Sequence, residues 1–168
     1  MPEYREKILI SACLLGEPVR YDGKSKQVNN SLLERWRAEG RLVVICPEVR
    51  GGLPVPRPAA EVLNANARDV LDGKGAVHTR QHDDVSRFFL AGAQHALDLC
   101  HQHRIKIAIL KENSPSCGSS FIHDGGFTGK LVPGEGITTA LLRQSGIKVF
   151  NENQVRDAAV ELDSLRTS

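Results

Sequence analysis

The chain is poor in aromatic side chains. Its 168 residues include one Trp, two Tyr and five Phe, too few to build a stacking platform for a run of bases. No apolar stretch approaches the roughly 20 residues that a membrane-spanning helix needs. Charge of neither sign dominates: the formal net charge of +2 tolerates a phosphate-bearing ligand but does not mark a nucleic-acid binder. Internal repeats, low-complexity tracts and linkers are also lacking, so one domain over 1–168 is expected, long enough to bury a full core. The opening segment "MPEYREKILISACLLG" sets acids and bases before a short apolar run, and its acidic flank argues against a secretory signal. A cytoplasmic location follows. Cysteine is scarce too, with four in the chain and no C-x-x-C pair. In a reducing compartment such thiols point to metal binding or catalysis rather than to disulfides.

Four runs read as strands: "KILISACLL" (7–15), "RLVVICPEV" (41–49), "IKIAILKEN" (105–113) and "IKVFNEN" (147–153). Each is continuously apolar rather than alternating, as suits strands covered on both faces of a parallel sheet. Helical patterns fall between them, near 30–39, 82–103 and 138–145, and a last one begins near 153. Strands alternating with helices predict an α/β fold with a mostly parallel sheet. The proline-rich stretch "CPEVRGGLPVPRPAAEV" (46–62) is expected to be a shaped loop rather than a helix. "HDGGFTGKLVPGEGITTALL" (123–142) reads as a turn or hairpin leading into a helix that starts near Ile137 or Thr138, whose first amides are candidates for holding an anion.

Three cysteines occupy matching places. Cys13 and Cys46 end the first two strand runs, and Cys117 lies in the loop "ENSPSCG" just after the third. The carboxyl ends of parallel strands share one edge of the sheet, where ligands bind, so these three thiols can converge. Cys100 differs, because Phe89, Ala93, Ala96 and Cys100 recur at helical spacing and place it on a buried face. His101 and His103 are read as surface residues that favour the helix C-terminus. Structural zinc usually takes four ligands with a close pair, a disulfide would leave an odd thiol, and an iron–sulfur cluster is normally held by four thiolates. With three, a 4Fe-4S cube would keep one iron free of protein and open to a soft ligand such as sulfur. Spacing alone leaves this open.

The blocks "SACLLGEPVRYDG", "CPEVRGGLPVPRPAAEV", "LKENSPSCGSS" and "DGGFTGKLVPGEGITTALLRQSGIKV" resemble the thiouracil desulfidase family, in family order and across most of residues 8–150. The chain looks like its short, single-domain form. The resemblance implies a Rossmann-like three-layer α/β fold with the site at the carboxyl ends of the strands. It also implies a 4Fe-4S cluster held by Cys13, Cys46 and Cys117, with one open iron to take the sulfur of 2- or 4-thiouracil or of a related thiopyrimidine nucleotide. Water then replaces the sulfur, giving uracil and hydrogen sulfide without net redox change. Glu48 of "CPE" and Ser114, the first serine of "SPSC", match positions implicated in catalysis.

The chemistry accommodates both roles. Attack of water on a thiocarbonyl carbon needs a base and the ring nitrogens need a proton shuttle, and Glu48, two residues past a cluster ligand, is near enough to serve. Ser114 would bind the pyrimidine or position the water, with Ser116 as the alternative. Arg57 is a candidate for bidentate contact with a carboxylate or phosphate, or for pairing with Glu61 as scaffold. Arg20, Glu61, Asp124 and the glycines at 125, 126 and 129 are weaker candidates. The expected partner is a small thiopyrimidine, with neither nucleic acid nor membrane. Two other readings compete. A cluster-bearing sensor or sulfur-binding protein would hold the group without turnover, and a zinc hydrolase would require the H-x-E and P-C-x-x-C pattern, which is missing here.

Overall fold

In the computed structural model, residues 5–165 are described. The first four residues, which carry part of the argument against a signal, lie outside them. Four parallel strands form the central sheet: β1 (Ile8–Ser11), β2 (Leu42–Ile45), β5 (Ile107–Leu110) and β8 (Lys148–Asn151), in the order β2-β1-β5-β8. Each is only four residues long, shorter than its apolar run. The remainder of the first run turns into a 3₁₀ segment, Ala12–Leu15, stopped by Gly16 at φ +95°. The remainder of the second becomes α2 (Pro47–Arg50), a single helical turn within the stretch expected to be irregular. Proline suits that first helical position, where its missing amide would have no partner.

The two faces of the sheet are covered by different helices, and alternation within the strands supplies both layers. Ile8, Ile10, Ile107 and Ile109 pack with Leu33 and Trp36 of α1 (Ser31–Ala38) and with Val155, Ala158 and Leu162 of α6 (Val155–Leu165). Leu9, Ala108 and Leu110 face Ala96, Leu97 and Cys100 of α4 (Ser86–His103) and Leu142 of α5 (Ile137–Gln144). Each fully buried Ile or Leu contributes roughly 1.5–3 kcal/mol. The fold is thus the expected three-layer α/β arrangement, and Cys100, about 1 % exposed, is a core residue.

Two small antiparallel ribbons complete the fold, the first not legible in the apolar pattern and the second the hairpin considered for the stretch from 123. One pairs β3 (Ala60–Val62) with β4 (Val77–Thr79), flanking α3 (Ala67–Leu71); the other pairs β6 (Phe121–His123) with β7 (Leu131–Pro133). In the first, strands of three residues leave too short a signal to read. The helix expected from 82 begins instead at Ser86, because His82 takes φ +70° and the Asp84 carboxylate accepts from the Ser86 amide at 2.9 Å. Glycine in mid-helix costs about 1 kcal/mol against alanine, yet α4 carries Gly92. A Cβ there would overlap the Pro47 carbonyl, and one on Gly51 would overlap the Phe88 carbonyl. These two bare backbones let α2, with Cys46 at its start, lie directly on α4.

Candidate active site

The strand order places the switch in chain direction at β1, whose neighbours β2 and β5 lie on opposite sides. In open α/β sheets ligands bind outside the carboxyl ends at such a point. Cys13 sits in the 3₁₀ turn after β1, Cys46 caps α2 after β2, and Cys117 follows β5 in the loop 114–118. All three thiols are free and all three line one cavity of about 520 Å³.

The Cys117 loop is held from behind. The α5 amides of Ile137 and Thr138 donate to the carbonyls of Pro115 and Ser116 at 2.9 Å each, Gly136 donates to Gly118, and the Thr139 hydroxyl donates to the Cys117 carbonyl. A Cβ on Gly136 would overlap the Ser116 carbonyl and the Cys117 amide. The first amides of α5 therefore bind the loop of their own chain, not an anion, which corrects the expectation for that helix start.

Burial pushes the Cys117 thiol up to about 12, with hydrogen bonds from Ser116 and Ser11 pulling the other way. Cys13 is pushed up to about 11 by burial and then by its proximity to Cys46, opposed by Lys111 and Arg20. Burial also raises Cys46. Ionising these thiols at neutral pH requires positive charge between them, which a bound metal centre supplies. Among the described residues no three His, Cys, Asp or Glu side chains are placed to hold a single metal ion. Three soft donors spread around a cavity of this size, with no fourth cysteine lining it, fit instead a multi-iron cluster that keeps one iron unligated by protein.

Glu48 stands at the wall of the same cavity, its side chain 13 % exposed. One carboxylate oxygen, Oε1, accepts from Arg57 Nε at 3.1 Å and forms an ion pair with Nη2 at the same distance; the other, Oε2, accepts from the Ser116 hydroxyl at 2.8 Å. Arg57 is 3 % exposed, and its remaining donors reach the carbonyls of Pro54 and Val19. The expected alternative partner, Glu61, is instead engaged by the amides of Gly125 and Phe127. Ser114 and Ser116 are in contact through their hydroxyls at 3.3 Å, and Ser114 Oγ accepts from the Cys117 amide at 2.8 Å. The 2.8 Å contact draws the single Ser116 proton to Glu48 in preference to Cys117 Sγ at 3.5 Å, so Ser114 is the donor in the serine pair. The order Ser114 to Ser116 to Glu48 is thereby set.

The two ribbons supply more of the lining: Glu61 of β3, Arg80 after β4, His123 of β6 and Phe127 between β6 and β7. Phe127 adopts φ +56°, a left-handed conformation that costs a non-glycine residue about 1–2 kcal/mol. Glu61 Oε1 holds this tip at the amides of Gly125 and Phe127, and the Arg80 guanidinium lies 5.5 Å from the Phe127 ring centroid. Arg20, also on the cavity, lies over Tyr21. The Asp124 carboxylate accepts from the Gly126 amide in its own turn.

Glu112 was not singled out by its position in the sequence, yet it organises the loop that carries Cys117. Its Oε1 accepts from the amides of Asn113, Ser119 and Ser120, and its Oε2 from Ser119 Oγ and Asn151 Nδ2. Burial would raise its pKa, but these donors, the Ser120 and Ser119 amides foremost, hold it at about 2. A depressed carboxyl stabilises the fold above the ordinary value near 4.5, and that stability is lost as pH falls from there through about 2. Glu112→Gln is expected to lower stability at pH 7 by about 1–3 kcal/mol, as loss of buried hydrogen bonds to a charged group does. The gap from wild type should narrow at pH 3. Urea midpoints of the cluster-free chain at the two pH values check this, and an undiminished gap at pH 3 contradicts it.

The 2-thiouracil desulfurase family model matches residues 8–154. A solved structure described as a [4Fe-4S]-dependent thiouracil desulfidase, TudS, superposes with a TM-score of 0.87 at 49 % identity, covering 95 % of this chain and 99 % of that one. The uncharacterised protein YbbK of Bacillus subtilis (strain 168) is 39 % identical over 150 residues, 89 % of this chain and 98 % of its own.

Proposed function

The chain belongs to the 2-thiouracil desulfurase family, and from that premise we propose how its residues remove sulfur from a thiouracil ring. It is an iron–sulfur-dependent thiouracil desulfidase. The oxygen of one water takes the place of the thiocarbonyl sulfur, and the water's two protons leave with that sulfur as hydrogen sulfide, so no electrons are gained or lost. The observation that carries the reading is the meeting of three unpaired thiols, from three successive sheet ends, with an anchored carboxylate on one cavity. Cys13, Cys46 and Cys117 hold the 4Fe-4S cluster. When bound, the cluster supplies an iron free of protein ligands, a Lewis acid for the thiocarbonyl sulfur that makes the ring carbon more electrophilic.

The protein's own groups manage the protons. Glu48 takes a proton from the attacking water as general base and, as general acid, returns it by way of a ring nitrogen to the departing sulfur. Arg57, with hydrogen bonds from Nε to Glu48 and from its two terminal nitrogens to the carbonyls of Pro54 and Val19, fixes the carboxylate. Ser114 donates toward Ser116, and Ser116 toward Glu48, so a proton released at the ring edge has a path to the carboxylate. The substrate is a small thiopyrimidine, free base or nucleotide, with Arg20, Lys26 and Arg80 on the same cavity available to a phosphate. No described helix is long and apolar enough to cross a membrane. Free thiols around an oxygen-labile group suit a reducing cytoplasm.

The test is anaerobic purification, reconstitution with iron and sulfide, and measurement of hydrogen sulfide from 2- and 4-thiouracil and their nucleotides. Iron-dependent release is expected. A fully loaded cluster that releases none from any of them would establish a sensor or sulfur-binding protein instead.

A further inference from the structure

The hairpin between β6 and β7 places glycine where it turns left-handed, at Gly125 (φ +97°) and Gly129 (φ +82°), with a third glycine at 126. Between them, at an equally left-handed position, stands Phe127 (φ +56°). Glycine would adopt that conformation without penalty. The fold nevertheless holds a bulky ring there with three restraints: Glu61 Oε1 on the Gly125 and Phe127 amides at 3.0 and 3.1 Å, and Arg80 Nη2 on the Phe127 carbonyl at 3.4 Å. Ring packing inside the protein does not account for this, because Phe127 is only half-buried and its neighbour Arg80 is an exposed side chain. Over-determined backbone strain of this kind gathers at ligand clamps.

We propose that Phe127 is a specificity-determining ring wall, stacking on the pyrimidine of the thiouracil in the cavity it shares with the three thiols. This inference rests on the desulfidase reading and adds to it the residue that selects a flat heterocycle. The guanidinium of Arg80 lies over one face of the ring, and the ring lines the cavity. An aromatic face accepts any pyrimidine through its π-surface, so this contact selects ring shape and leaves recognition of the sulfur to other groups. Tyr21 is the other phenyl-bearing residue on the cavity, 43 % exposed and in ordinary backbone geometry.

The contact is made equally in ground and transition states, so its loss raises KM with little change in kcat. Phe127→Gly in the cluster-loaded enzyme is expected to raise KM for 4-thiouracil about 5- to 150-fold, the range for loss of one base–aromatic stack. The inhibition constant for uracil should rise in parallel and kcat should stay within about twofold. Phe127→Tyr should keep wild-type values. The melting temperature of Phe127→Gly should hold near wild type, since glycine relieves the left-handed strain. Unchanged KM and uracil inhibition in Phe127→Gly would overturn the proposal, as would a larger KM effect from Tyr21→Ala. A fall in melting temperature and kcat shared by the Gly and Tyr variants would assign Phe127 a structural role and overturn it too. Equilibrium dialysis of 4-thiouracil against wild type and Phe127→Gly separates this inference from the reading beneath it. Phe127-dependent binding without sulfide release sinks the desulfidase and keeps the ring wall, whereas release with equal binding by both proteins does the reverse.

Discussion

Replacing Glu48 with glutamine is expected to lower kcat about 10²–10⁴-fold, the usual contribution of a positioned general acid–base. The change is isosteric and leaves the site assembled. The amide oxygen can still accept from Arg57 and the amide nitrogen can donate to Ser116, so both neighbours at 3.1 and 2.8 Å keep a partner. What disappears is the capacity to take a proton and the charge opposite Arg57. That guanidinium is buried, and an unpaired buried cation is destabilising by several kcal/mol, so the variant should also melt earlier. Iron content and the absorption of the bound cluster should stay as in wild type, because Glu48 is not among the thiol ligands. Equal kcat in variant and wild type would remove Glu48 from the mechanism. A loss of iron together with activity would assign it to assembly of the site.

The second large effect concerns the thiols. Cys13→Ala, Cys46→Ala and Cys117→Ala should each lose most of the bound iron and all sulfide release above background, while Cys100→Ala retains both. Each of the first three lines the cavity. Cys100 lies in the apolar layer beneath the sheet, where burial alone pushes its thiol up to about 12, and no charged group there favours a thiolate. Its removal costs packing, about 1–3 kcal/mol for a small buried side chain, and not function. Iron analysis and sulfide assay of the four variants in parallel decide the matter. Full iron and full activity in any one of the first three would break the three-thiolate assignment.

Much of this was legible in the residues. Four apolar runs mark a parallel sheet; β1 and β5 at its centre are buried throughout, whereas the edge strand β2 leaves Val44 exposed, and a residue just past such a run must lie at one edge of that sheet. Cys13, Cys46 and Cys117 could thus be gathered from distant places in the chain. Cys100 could be set aside because its helical spacing buries it. The local geometry was less legible. Pro47 opens α2 inside a proline-rich stretch expected to be irregular, and the first amides of α5, open to an anion in the sequence, bind the carbonyls of Pro115 and Ser116.

By itself, then, the sequence determined the sheet, its layers and which thiols share its edge, since periodicity and strand ends are local properties of the chain. Only the tertiary structure decided that Arg57 clamps Glu48 and not Glu61, that Glu112 gathers the amides around the Cys117 loop, and that Phe127 is held left-handed on the cavity. Those partners are separated in sequence by nine residues for Arg57 and Glu48 and by 66 for Glu61 and Phe127. Hydrogen bonds between such side chains and backbone groups follow from how loops pack in three dimensions, and residue type carries no record of the partner chosen.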